Sequence, residues 1–321
     1  MGRVAGPDSL RKLANVRSRV FQHFPRSVAQ WFFCAHNQTS WVSPAIMTSS
    51  TRRALLLSGS ALAVTAVVVG SGHDGLTSAE AKTQPPLPPN GLKALFFDVF
   101  GTLVDWRTGV AHKAKSILKP LGYSLDWSAF ADAWRDQYQP GMEEVRSGRL
   151  PYTKLDVLHR QMLQKILSNF GLDKLNDKEL DQLTLAWHQR DAWKDVPAGL
   201  ARLRKRFLTA PVSNGNIAIM CDLARRNDFR WDAILGADLA RDYKPKAVVY
   251  LAGADAFDLK PSECMMCAAH SEDLRAAAAN GLRTAFIARP EERPGVSESA
   301  PKYPVDILSS TTLDLATKLG A

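Results

Sequence analysis

Cysteine is scarce in this chain. It has 4 in 321 residues, and only Cys221, Cys264 and Cys267 lie beyond residue 81. An odd trio so far apart is no disulfide framework, and a small disulfide-built fold is excluded. Long apolar runs are equally scarce. A single uncharged stretch, 54–72, raises a membrane question, so a polytopic membrane protein is excluded too. Glycine and proline, at 20 and 18, are too few and too scattered for a collagen-like chain, and 45 % hydrophobic with 23 % charged residues is a globular composition. Nor is charge of one sign concentrated over most of the chain. The net charge is +9, but the first 81 residues hold eight basic and three acidic side chains, leaving 33 and 29 to the other 240. That remainder is only mildly basic, so no nucleic-acid partner is expected. The length fits two domains, or one large domain with an insertion.

The N-terminal quarter reads as an address. Arg52-Arg53 precedes the apolar run from Ala54, and Ser78-Ala79-Glu80-Ala81 places small residues where an A-x-A cleavage site needs them. A positive segment, an apolar segment and a small-residue exit are the parts of a secretory signal. Paired arginines before a modestly hydrophobic core resemble the twin-arginine type, cleaved or kept as an anchor. Export machinery is then a partner, and the location is periplasmic or exported, or cytoplasmic if the signal is not used. Met47 stands at the right distance to begin such a segment, so 47–81 is read as the signal and 1–46 as a disordered upstream extension. Residues 82–91, with four prolines, form a linker that can be neither helix nor central strand.

From residue 92 the pattern changes. Lys93-Ala-Leu-Phe-Phe97 is a short apolar run that delivers Asp98 and then Gly101-Thr102. It reads as a buried parallel strand with a carboxylate at its C-terminal end, the edge where open α/β sheets bind ligands. Further strands are expected at 207–212, 233–235, 263–269 and 284–287, with helices at 197–206, 216–227, 246–258 and 272–280. This alternation predicts an α/β fold with a doubly wound, Rossmann-like parallel sheet. Residues 111–195 break it with helix-period apolar spacing, as at Leu155, Leu158, Met162 and Ile166. They are expected to form a helical cap inserted in a core made of 92–110 and 196–321.

Four separated motifs then occur in order. They are Phe97-Asp98-Val99-Phe100-Gly101-Thr102-Leu103, Val212-Ser213-Asn214-Gly215, Tyr243-Lys244-Pro245 with Tyr250 following, and Ala268-Ala269-His270-Ser271-Glu272-Asp273-Leu274. Together they resemble the haloacid dehalogenase superfamily, and within it the type II (S)-2-haloacid dehalogenases, as does Ala133-Trp134-Arg135-Asp136-Gln137-Tyr138 in the cap. The resemblance implies hydrolysis of a small halocarboxylic acid, no cofactor, and a homodimer.

The residues support a chemistry of their own. A strand-tip carboxylate such as Asp98 can form covalent esters, although it can also cap a turn. The superfamily's phosphatases have a second aspartate two positions on, which protonates a basic leaving alkoxide. Here that position is Phe100, which donates no proton. Halide is a weak base and needs none, so displacement of halide is favoured. By resemblance Arg135 reaches the site from the cap, where a guanidinium would hold the departing halide. Thr102 belongs to the nucleophile loop. Ser213 and Asn214 precede a helix, where hydroxyl, amide and helix N–H groups suit a substrate carboxylate, or simply cap the helix. Lys244 is held extended by Pro245, and beside Asp98 it would keep that carboxylate ionised. Tyr250 falls one turn further on. Asp273 could activate the water that cleaves the ester. His270, standing where relatives carry an amide, could share that work or fill the amide's place. No metal is expected; a magnesium-dependent phosphatase on the same fold, or a non-catalytic binding protein, are the alternatives. Cys264 and Cys267, three apart in a strand, should face opposite sides as core residues. Trp127, Trp134, Trp187, Trp193 and Trp231 are expected to pack in the core or cap.

Overall fold

The computed structural model describes residues 91–321. The expectations for the extension, the signal and the linker up to residue 90 lie outside the described residues. Among the described residues no helix is long and apolar enough to cross a membrane.

Six parallel strands form one sheet. They are β1 (Ala94–Phe97), β2 (Leu208–Ser213), β3 (Leu235–Gly236), β4 (Cys264–Ala268), β5 (Arg283–Ile287) and β6 (Ile307–Ser309), in the order β3-β2-β1-β4-β5-β6. β1 and β4 are apolar throughout because both sheet faces are covered. Leu95, Phe97, Met265 and Cys267 enter one core; Ala94, Phe96, Cys264 and Met266 enter the other. The two cysteines therefore point apart, as expected, and burial pushes both thiols up, Cys264 to about 12. The strand order reverses direction between β1 and β4, and a crevice opens at the C-terminal ends there.

Between β1 and β2 the chain is helical: α1 (Trp106–Leu118), α2 (Trp127–Asp136), α3 (Tyr138–Arg146), α4 (Leu155–Ile166), α5 (Asp177–Thr184) and α6 (Val196–Leu203). The boundary expected between 110 and 111 falls inside α1. That helix starts at Trp106 because Asp105 caps it, its side chain accepting from the Thr108 amide at 3.0 Å. Trp134 and Trp187 are fully buried, while Trp127, Trp193 and Trp231 pack partly buried against the same core.

The later helices are α7 (Ile217–Asn227), α8 (Ala237–Ala240), α9 (Ala247–Asp255), α10 (Ser271–Ala279) and α11 (Thr312–Lys318). Two edge strands differ from expectation. β3 sits at 235–236 instead of 233–235, where Gly236, at φ +101°, lies against the Ser213 backbone. β6 has no counterpart among the expected strands. It is three residues long with Leu308 half exposed, so it lacks the buried apolar run that marks the others.

Candidate active site

β1 ends at Phe97, and the next residue, Asp98, turns into the crevice with its amide still bonded to the Cys267 carbonyl at 3.0 Å. Three side chains hold its carboxylate. Lys244 Nζ donates to Oδ1 at 2.9 Å. Thr102 Oγ1 donates to Oδ2 at 2.8 Å, and His270 Nδ1 lies 3.1 Å from the same oxygen. Lys244 Nζ also donates to Asp273 Oδ2 at 2.5 Å, and the Tyr250 hydroxyl donates to Asp273 Oδ1 at 2.7 Å. Asp98, Lys244, Asp273, His270 and Tyr250, read from three separate motifs, thus form one cluster.

The charges follow from this packing. Burial alone would push Asp98 up, but the Lys244 charge and the bond and charge of His270 hold its carboxyl far below the usual range. Burial would lower Lys244; the charges of Asp273 and Asp98 outweigh it and keep the ammonium charged. Burial, with the Asp98 charge, pushes Asp273 up, so the two carboxyls shift in opposite directions and Asp98 is the more acidic. Burial and the Asp273 charge push the Tyr250 phenol up and keep it a donor.

A cavity of about 780 Å³ opens over the cluster, and Asp98, Phe100, Arg135, Tyr138, Asn214 and His270 are among the residues of its wall. Arg135 reaches it from α2. Its guanidinium carbon lies 3.9 Å from the Tyr138 ring centroid, and Nη1 is buried with no hydrogen-bond partner among the described residues. Phe100 is 2 % exposed and meets Trp187 edge-on at 5.7 Å. Behind it the His159 ring stacks on Trp187 at 4.4 Å; burial pushes its pKa to about 3, so this imidazole is neutral.

Three expected contributors stand elsewhere. Thr102 does not line the cavity. It is fully buried, anchors Asp98, and accepts from the Ala269 amide at 2.9 Å. Ser213 does not line it either; its Oγ accepts from the Gly215 amide at 3.1 Å. The expected helix N–H contribution is weakened as well. α7 starts only at Ile217, and the Ile217 amide already donates to Asp238 at 2.7 Å. Asn214 does line the cavity, while its Oδ1 accepts from the Lys244 amide at 2.8 Å and so fixes the lysine.

Sequence reasoning missed Glu292, Trp106 and Tyr138. Glu292, in the loop after β5, accepts from Trp106 Nε1 at 2.6 Å and faces His270 Nε2 at 3.1 Å. Its carboxylate occupies the place where a Cβ on residue 101 would fall, so Gly101, at φ +88°, is required on two counts. Burial would lower His270, but the Glu292 charge and the bond to Asp98 raise it to about 10. Both ring nitrogens face carboxylates, and only the imidazolium can donate to both. The one signal for Glu292 was a carboxylate soon after the C-terminal end of a strand, masked by its Pro- and Gly-containing loop.

A metal would need open carboxylate oxygens here. Lys244 takes one oxygen from each of Asp98 and Asp273, and Thr102, His270 and Tyr250 hold the others. The donor set does not fit a cation without displacement of one of these groups.

A doubly wound sheet with a buried aspartate–lysine–aspartate cluster at its switch point, and a helical insertion after its first strand, points to hydrolases that use an aspartate at the strand tip. The sequence model of haloacid dehalogenase-like hydrolases matches residues 92–281, and the chain belongs to this family. It is 30 % identical over 202 residues to (S)-2-haloacid dehalogenase 1 of Pseudomonas sp. (strain CBS-3), a match covering 62 % of this chain and 85 % of the relative. Among solved structures, a defluorinating L-2-haloacid dehalogenase is 40 % identical, with a TM-score of 0.71, covering 74 % of this chain and 100 % of the other. A second L-2-haloacid dehalogenase is 42 % identical, with a TM-score of 0.68, covering 71 % and 100 %.

Proposed function

We propose that this protein hydrolyses short (S)-2-haloalkanoic acids to 2-hydroxy acids through an ester on Asp98, without a metal. The observation that carries the reading is the pairing of an ionised, triply held Asp98 with a wall built from Phe100, Tyr138 and the unpartnered Arg135 Nη1. Asp98 attacks C2 from the side opposite the halogen, the configuration inverts, and the carbon–halogen bond breaks. Arg135 takes up the halide that forms, and the aromatic faces keep water from it. Asn214, on the cavity wall, orients the substrate carboxylate. The names of the relatives, all acting on haloacids, support the substrate class. Phe100 and the filled carboxylate oxygens speak against the magnesium-dependent phosphatase. The twin-arginine-like segment supports export, and N-terminal sequencing of the protein recovered from a bacterial periplasm tests it.

The direct test is halide release from (S)-2-chloropropionate with a chelator present. The wild type is expected to turn over, and Asp98→Ala to fall to background. Magnesium-dependent hydrolysis of a phosphate ester, with no halide released, would overturn the reading.

A further inference from the structure

Ester hydrolysis needs a group that takes a proton from water and returns one to the departing hydroxy acid. Asp273 is badly placed for both, since each of its oxygens already accepts a strong donor, Lys244 Nζ at 2.5 Å and the Tyr250 hydroxyl at 2.7 Å. His270 is placed differently. Nδ1 lies 3.1 Å from Asp98 Oδ2, Nε2 lies 3.1 Å from Glu292 Oε2, and the side chain remains 35 % exposed at the cavity wall. Glu292 is itself clamped, between Trp106 Nε1 and the bare backbone of Gly101. A ring nitrogen is therefore held against the carboxylate that would carry the ester, by a second carboxylate that is itself hydrogen-bonded in place.

We infer that His270 is the proton carrier of the second half-reaction and that Glu292 is its positioning residue; this rests on the dehalogenation reading above. At rest His270 is an imidazolium between Asp98 and Glu292. Displacement of halide turns Asp98 into a neutral ester, leaving Glu292 as the one anion in contact with the ring. The imidazolium then releases a proton to solvent, the single proton of the overall reaction. Neutral His270 next accepts a proton from water as the water oxygen bonds to the Asp98 carbonyl carbon. It hands that proton to the alkoxide oxygen of the hydroxy acid as the bond from that oxygen to the carbon breaks. Asp98 is left as a carboxylic acid, and its proton passes to His270, which restores the starting pair.

The experiment is rapid quenching of the full chain after mixing with (S)-2-chloropropionate, reading halide and intact protein mass. His270→Asn is expected to release about one equivalent of halide in a burst that slows far less than steady turnover, since Lys244 and Thr102 still hold Asp98. It should then stall as the covalent ester, with steady turnover lower by roughly 10²-fold. Glu292→Gln should give the same pattern with a smaller loss, and Glu292→Asp should recover part of it. Added imidazole should restore turnover to His270→Ala. The inference is overturned if the variants lose the burst in step with turnover, if turnover slows without ester accumulating, or if they match the wild type. A wild type that releases no halide removes the dehalogenation reading itself, an outcome separable from failure of the variants alone.

Discussion

Lys244 governs the charge balance of the cluster. It is 6 % exposed and neutralises two buried carboxylates at 2.9 and 2.5 Å. Removing one partner from a buried ionic group leaves uncompensated charge, so Lys244→Met should lower the unfolding free energy by about 3–5 kcal/mol. Urea denaturation measures this, and turnover should be lost together with stability. Gly101→Ala is the sharper steric test. It places a side chain at φ +88° on top of the Glu292 carboxylate, and the backbone strain alone is about 1–3 kcal/mol. Asp98, Lys244 and Asp273 were legible in the sequence because each sits in a short local motif at the ligand-binding end of the sheet. Glu292 was not, because its partners lie 186 residues away at Trp106 and 22 away at His270. No local pattern encodes contacts of that separation. Ser213 was legible as a strand-end residue, but its hydroxyl serves the turn to Gly215 and not the cavity wall.

At the scale of elements, the end of β5 is tied to the nucleophile loop by Arg289. This residue, 7 % exposed, donates Nε to the Thr102 carbonyl at 2.8 Å and both terminal nitrogens to Asp195 at 2.8 Å. Asp195 in turn accepts from the Thr312 amide at the start of α11. Arg289→Met should therefore cost about 3–5 kcal/mol. It should also slow the halide burst, because the loop carrying Asp98 and Thr102 loses its outer support. Differential scanning calorimetry and rapid quench read the two effects separately. The central strands were legible because β1, β2, β4 and β5 are buried enough to require apolar runs. β3, of two residues at one edge, was expected slightly early at 233–235, and β6, of three residues at the other edge, carries too little sequence to announce itself. The cap boundary expected at 111 cuts α1, which the Asp105 cap starts at Trp106.

The whole molecule responds to pH through the same cluster. His270 sits at about 10 in the folded protein against 6.5 for the free side chain, held by Glu292 and Asp98. A group raised on folding stabilises fully below its unfolded value, and that contribution is lost as pH climbs through the folded value. Wild-type stability should thus decline from about pH 6.5 to 10, and His270→Asn should flatten that slope; thermal melting across the range checks it. The doubly wound topology and the helical insertion followed from residues 92–321 alone, since alternating apolar runs and helical periods dictate them. The pairing of His270 with Glu292 did not, because it joins the loop after β5 to the residue that precedes α10. The most direct test of an aspartate nucleophile is acid quenching during turnover of (S)-2-chloropropionate, followed by proteolysis and peptide mass mapping. An ester confined to the peptide bearing Asp98 is the expected result. Halide release with an adduct on another residue would contradict it, as would release with no adduct on Asp98 even in His270→Asn.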